Sequence, residues 1–339
     1  MTNRVRVLES VKAPGPVVKY IDQVVRYAPD DIDFSYFSWR QALFGEFDVL
    51  HVHFPEGMVR SASPLKRALK HVLFRAFLLR LRLKGIPIVR TVHNVEPHDQ
   101  GRSAERRLLQ RLDRLVSHRV VLNECTTVYW DGPTTLIPHG HYREQMAAFP
   151  RRERIEGRLL LFGRLRPYKG ALELIRALDR EEAEGLELRI VGSPTPGLQK
   201  EIEAEISKPG RRGAKISVDL RTVSDEEMVA EMSAAELVVI PNQDLAQSNS
   251  GVALMALSLD RPVLIQRVCM TESLARETGP GWVHFIGDEL SVTGIKRALE
   301  DHQEQRSQEA PTLSGRDWES VAVAYARILS DVAAAHRAS

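Results

Sequence analysis

The chain has 339 residues, with 47 Lys and Arg against 45 Asp and Glu, and this near balance excludes the strongly basic surface expected of a nucleic-acid-binding protein. No run of about eighteen apolar residues occurs, so no segment reads as a transmembrane helix. A content of 43% hydrophobic and 27% charged residues is that of a globular protein, and the length calls for two cores.

In chain order, Val5–Leu8, Phe47–His53, Pro87–His93, Arg119–Leu122 and Thr135–Ile137 read as strands. Helical patterns over Val17–Tyr27, Pro64–Lys84 and Ala104–Val116 separate them. The segment Phe149–Arg154 is charged and aperiodic and reads as a linker. Strands then recur at Arg158–Phe162, Leu186–Val191, Lys215–Val218, Leu237–Ile240 and Val263–Ile265. The helices between them are Ala171–Leu178, Lys200–Ser207, Asp225–Ala234 and Gly251–Leu259, and Asp317–His336 reads as a last helix. Such alternation predicts an α/β fold of two doubly wound, Rossmann-like domains with parallel sheets. The expected divisions are 1–150, 151–316, and a C-terminal helix, 317–339, packing back on the first domain. Ligands of such sheets bind beyond the carboxyl ends of the strands, so a cleft between the domains is expected.

The richest stretch is Leu161–Gly170, in which a strand ends at Gly163, a loop presents Arg164 and Lys169, and a helix starts after Gly170. Two cations beside a helix start suit a diphosphate; the plainer reading is a solvated basic loop. A second anion site is expected at Asn249-Ser250-Gly251, ahead of the apolar helix 252–257, where the first N–H groups lack internal partners. Its plainer reading is a capped core helix. Gly192, at another strand end, would leave room for a base or ribose.

In the first half, His51, His53, His93, His98, His139 and His141 fall at or just past strand ends. Singly, each would be an ordinary hydrogen-bonded histidine. The catalytic candidates are Glu96, His93 and His98, with Asp99 and Glu56 behind them. No metal is expected, since no ligand spacing is visible; Cys125 and Cys269 show neither that spacing nor a disulfide framework. The Pro64–Lys84 helix mixes Lys66, Arg67, Lys70, Arg75, Arg80, Arg82 and Lys84 with many leucines. It reads either as a surface helix with a solvated cationic face or as an anionic-membrane binder. Arg102, Arg106, Arg107, Arg111 and Arg114 on the next helix favour the membrane.

Together these residues resemble the GT-B glycosyltransferases. The family's donor loop, Gly-Arg followed by Lys-Gly, stands here as Gly163-Arg164 through Lys169-Gly170. By that resemblance Arg164 and Lys169 hold the donor diphosphate. The retaining branch carries two acids whose positions fall here on Gln247 and Met255, which weakens a retaining assignment. Ser250-Gly251-Val252-Ala253-Leu254, Thr91-Val92-His93-Asn94 and Ile137–Tyr142 are similar to bacterial exopolysaccharide enzymes such as GDP-mannose:glycolipid β-mannosyltransferases. That resemblance implies a GDP- or UDP-sugar donor, a lipid-linked or glycan acceptor, no cofactor, and a cytoplasmic place at the inner membrane face. An epimerase on the same fold and a non-catalytic sugar-nucleotide-binding protein are the alternatives.

Overall fold

The structure is a computed structural model that describes residues 4–13, 20–93, 101–126, 130–210, 212–242, 249–306 and 308–338. It holds two compact units. The first comprises 1–140, 247–249 and 315–339, and the second 141–246 and 250–314.

In the first unit the strands are β1 (Val5–Glu9), β2 (Ile32–Tyr36), β3 (Val49–Val52), β4 (Ile88–Val92), β5 (Val116–Val121) and β6 (Thr134–Leu136). They form one all-parallel sheet in the order β2-β1-β3-β4-β5-β6. In the second unit β7 (Arg158–Phe162), β8 (Glu187–Val191), β9 (Lys215–Asp219), β10 (Leu237–Ile240), β11 (Val263–Gln266) and β12 (Val283–Ile286) pair in the order β12-β11-β10-β7-β8-β9, again all parallel. Strands sandwiched between helix layers have two buried faces, which is why β10 reads as an unbroken apolar run and β3 as one broken only by His51, both buried throughout. Leu50, Val52, Phe74, Phe77 and Leu112 centre the first core, and Leu159, Leu161, Ile190, Val239 and Leu264 the second. Burying each such side chain contributes roughly 1.5–3 kcal/mol.

Chain order reverses between β1 and β3 in the first sheet and between β7 and β10 in the second. These are the switch points where an open α/β sheet leaves a crevice past its strand ends. The expected strands all form. Two more were missed, β2 and β12, both at sheet edges, where polar residues such as Asp33 and His284 interrupt the apolar signal. Helices Trp39–Phe44, Cys269–Thr278 and Val292–Gln305 were also missed. The helix expected over Ala104–Val116 ends at Asp113, and Val116 opens β5.

The Phe149–Arg154 segment is fastened to the second unit. Arg152 N donates to Ser233 Oγ at 2.8 Å, and Arg151 pairs with Asp260 at 3.0 Å. The C-terminal helix, Trp318–Ala338, belongs to the first unit, where Tyr325 is fully buried. Neither cysteine is a free thiol; this corrects the expectation of no disulfide framework at Cys125 and Cys269, because two lone cysteines offer no spacing pattern to read.

Candidate active site

In the second unit the switch point is built from backbone. Gly163 follows β7 with its N–H on Val191 O at 3.0 Å. The loop then makes a short turn over Pro167–Lys169 and passes through Gly170, at φ 72°, into the helix Ala171–Ala177. A Cβ on Gly170 would lie 2.8 Å from Pro241 O, past the end of β10, so only glycine lets the loop lie across the switch point. Gly192 is stricter. At φ 142°, its added Cβ would stand 1.8 Å from Gly163 O. Beside the expected reason for this glycine, space for a base or ribose, the protein's own backbone demands it.

Three of the expected anion-binding elements converge here. A point at the Cβ position of Gly163 lies 3.8 Å from Lys169 Nζ and 3.5 Å from Val252 Cγ2, in the first turn of the helix Gly251–Ser258. Ser250 caps that helix, its Oγ accepting from Ala253 N at 3.2 Å, which leaves the earlier N–H groups and the positive dipole end on offer. Nothing lies within 4 Å of a Cβ on Gly251. Lys169 is half-buried, and among the described residues its ammonium makes no hydrogen bond or ion pair. Burial, and then Arg166, push its pKa below the usual lysine value. A desolvated cation without an internal partner is held there at a cost that an anionic ligand would offset. Arg164 is exposed on the same loop. Asn249 is grouped with the first unit, and its Nδ2 is a buried donor without a partner among the described residues. Gln247 lies outside the described residues; Met255 stands on the Gly251–Ser258 helix.

The first unit's switch point is built from side chains instead. Glu9 ends β1, His51 lies in β3 and His53 follows it, and all three are buried. His51 Nδ1 donates to Glu9 Oε1 at 2.9 Å, and His53 Nε2 lies 3.4 Å from Glu9 Oε2. His53 Nδ1 and His93 Nε2, past β4, are 2.9 Å apart. His51 Nε2 meets Thr91 Oγ1 at 2.9 Å, Thr91 meets the Tyr325 hydroxyl at 3.0 Å, and Tyr325 meets the Tyr20 hydroxyl at 3.1 Å. His139 packs on Tyr20 at 4.8 Å between ring centroids, and its Nδ1 donates to Gly140 O at 2.8 Å. Phe54 stacks on the His93 ring at 4.4 Å.

Burial alone would raise the Glu9 carboxyl, but His51 and His53 hold it down at about 2. Burial lowers His53 and His139 to about 4, and it drives His93 well below the usual histidine value, helped by the neighbouring rings. The structure thus gathers the strand-end histidines 51, 53, 93 and 139. Glu96, His98 and Asp99 lie outside the described residues. Glu56 is half-buried on the short helix Glu56–Val59. Sequence reading missed Glu9 and Tyr325. An acid closing a first strand that is apolar but for Arg6 was the available signal for Glu9; Tyr325 read as one apolar position of a helix.

The Pro64–Leu83 helix starts at Ser63, whose Oγ accepts from Lys66 N at 3.5 Å, with Pro64 in its first turn. Its cations divide between neighbouring carbonyls and solvent. Arg67 donates to Ser61 O, Lys70 to Gly57 O and Arg60 O, and Arg80 to Ala42 O and Gly45 O. What faces out is Leu65, Leu69, Val72, Leu79 and Leu83, with Leu65 84% and Leu83 76% exposed. That row recurs at helical period, and the exposed Lys66, Arg75, Arg82 and Lys84 flank it. Among the described residues no helix is long and apolar enough to cross a membrane.

Comparison with known proteins agrees with this geometry. The model of the family Glycosyl transferases group 1 matches residues 156–301, which contain the Gly163–Gly170 loop and the Gly251–Ser258 helix. Over 317 residues the chain is 36% identical to a GDP-mannose:glycolipid 4-beta-D-mannosyltransferase of Xanthomonas campestris pv. campestris, covering 93% of this chain and 89% of that protein. Among solved structures, Anabaena HepE in complex with UDP and glucose aligns with a TM-score of 0.58 at 15% identity, over 98% of each chain. A trehalose-phosphate synthase from Burkholderia vietnamiensis aligns with a TM-score of 0.58 at 12% identity, over 98% of this chain and all of that one. Two Rossmann-like sheets, a Gly-Arg to Lys-Gly loop on the second and this likeness along nearly the whole chain lead to one assignment: the chain is a GT-B glycosyltransferase, and it belongs to the family of bacterial glycosyltransferases that contains these glycolipid mannosyltransferases.

Proposed function

We propose that the protein transfers mannose from GDP-mannose to a lipid-linked glycan, with inversion at the sugar carbon and without a metal cofactor. The observation that carries this reading is Lys169, a half-buried cation with no partner among the described residues, 3.8 Å from the point where Gly163 would bear a Cβ. In the proposed complex Lys169, Arg164 and the N–H groups at Gly251 and Val252 take the donor diphosphate, with Asn249 and Ser250 at its edge and Gly163 and Gly192 shaping the backbone beneath. They would stabilise negative charge as the diphosphate leaves, the role of a fixed cation in metal-independent transfer.

Inversion follows from chemistry. GDP-mannose is an α-glycosyl diphosphate, and the similar Xanthomonas enzyme is named for a β product. A Met at position 255, where the retaining branch has an acid, agrees. Inversion needs a base for the acceptor hydroxyl, and His93, Glu96 and His98 remain the candidates. The exposed apolar row of the Pro64–Leu83 helix, with its flanking cations and the arginines of Ser103–Asp113, suits the surface of an anionic membrane that carries the acceptor. On this reading the protein works peripherally at an inner membrane face.

The test is purified protein with labelled GDP-mannose, a lipid-linked glycan fraction and EDTA. The reading predicts a β-mannosylated lipid and free GDP. A donor-only epimerised product would instead favour the epimerase, and binding without turnover the non-catalytic reading. Flotation with anionic liposomes should show association that weakens with salt and falls several-fold in Leu69→Ser/Leu79→Ser. Equal flotation of the double variant would remove that face from the membrane.

A further inference from the structure

We infer that Glu9, His53 and His93 form a proton relay in which His93 Nδ1 is the base offered to the acceptor hydroxyl, while His53 and Glu9 are positioning residues that fix its tautomer and receive its charge. The inference rests on the transferase reading and names the base within it.

One proton order suits a carboxylate, which can only accept: His51 Nδ1 donates to Glu9 Oε1 at 2.9 Å, and His53 Nε2, 3.3 Å from His51 Nδ1 and 3.4 Å from Glu9 Oε2, is assigned an N–H that faces the carboxylate. His53 then has a lone pair at Nδ1. The 2.9 Å contact there requires His93 to donate from Nε2, which leaves the lone pair of His93 at Nδ1. Among the described residues nothing hydrogen-bonds to that atom. Phe54, stacked at 4.4 Å, holds the ring plane.

During transfer the acceptor oxygen bonds to the sugar carbon, and the bond from that carbon to the diphosphate breaks with its electron pair on the diphosphate. The acceptor proton moves to His93 Nδ1. The His93 Nε2 proton can pass to His53 Nδ1, whose other N–H faces Glu9. Positive charge thus travels from a ring surrounded by histidines to one beside a buried carboxylate. Glu9 Oε2 suits that role: it is buried and has no hydrogen-bond partner among the described residues, so it remains free to tighten onto a charged His53. The groups facing the relay are His51, His139, Tyr20 and Tyr325, with Arg316 behind His139 through its donation to His139 O at 2.9 Å.

Nitrogen-resolved NMR of the histidine rings and the pH profile of kcat, in wild type and Glu9→Gln, test this. Wild type should show His93 neutral and protonated at Nε2. Glu9→Gln should keep its melting temperature and its affinity for GDP, lose at least about a hundredfold in kcat, as expected when a buried carboxylate that fixes a tautomer is neutralised, and move the acid limb of kcat to lower pH. Should Glu9→Gln fail to fold, His53→Gln, which cannot pass a proton, is read the same way. An unchanged kcat and limb, a His93 protonated at Nδ1, or a stoichiometric metal ion held by Glu9, His51 and His53, whose ligand atoms lie within 4.8 Å, would overturn the relay. Correct tautomers without sugar transfer by wild type would instead break the transferase reading.

Discussion

The two switch points solve the same problem with different materials. At β7/β10 the proposed anion site consists mainly of main chain: a glycine turn, a helix tip and one half-buried lysine. At β1/β3 the cluster consists of side chains from β1, β3, β4 and the C-terminal helix, buried and cross-bonded. The contrast suits their proposed tasks. A diphosphate is grasped by N–H groups and cations, which the backbone of a βα turn already supplies. Proton transfer needs titratable rings held in a set order, which only packed side chains supply.

If the second site is a backbone site, its most damaging single change is one methyl group. Gly192→Ala would put a Cβ 1.8 Å from Gly163 O at a φ of 142°. It should destabilise the second unit by about 3 kcal/mol or more and abolish nucleotide binding, as thermal denaturation and calorimetry would read. Normal stability and binding would show that the β7 and β8 ends need not approach so closely.

Next, Lys169→Ala should fold and melt like wild type yet lose about a hundredfold in kcat/KM, or roughly 2.7 kcal/mol of barrier stabilisation. Near-normal turnover would remove Lys169 from the site.

The smallest expected effect separates the units by pH. His53 and His139 titrate at about 4 in the fold against an ordinary value near 6.5, so protons bind the unfolded chain more readily. Their contribution is complete above about pH 6.5 and is lost as pH falls toward 4. Between pH 7 and 5.5 the first unit should lose about 1 kcal/mol per histidine. Hydrogen exchange should show β1, β3 and β4 loosening before β7 and β10. No loosening of β1, β3 and β4 over that range would contradict the buried neutral rings; His284 and His302, lowered by burial as well, act in the same direction in the second unit.

The same contrast explains what could be read from the chain. Gly163, Arg164, Lys169 and Gly170 lie within one short stretch, and the Ser250-Gly251 cap adjoins an obvious apolar helix, so the parts of the second site were legible as local pattern. Parallel sheets were equally legible, because doubly buried strands such as β10 are uniformly apolar and β3 nearly so; edge strands β2 and β12 were not. The first site was half visible. His51, His53 and His93 stood out at strand ends, but Glu9 and Tyr325 acquire their meaning only from folding, which brings the two ends of the sequence onto one network. The cations of the Pro64–Leu83 helix were legible as residues, but not their division into Arg67, Lys70 and Arg80, spent on neighbouring carbonyls, and Lys66, Arg75, Arg82 and Lys84, left exposed.

The most direct test of the central claim is a crystal structure of the protein with GDP. The account predicts the diphosphate at the end of β7, within hydrogen-bonding reach of Lys169 Nζ and the N–H groups at Gly251 and Val252. A nucleotide bound elsewhere, or Lys169 turned away from an occupied site, would contradict it.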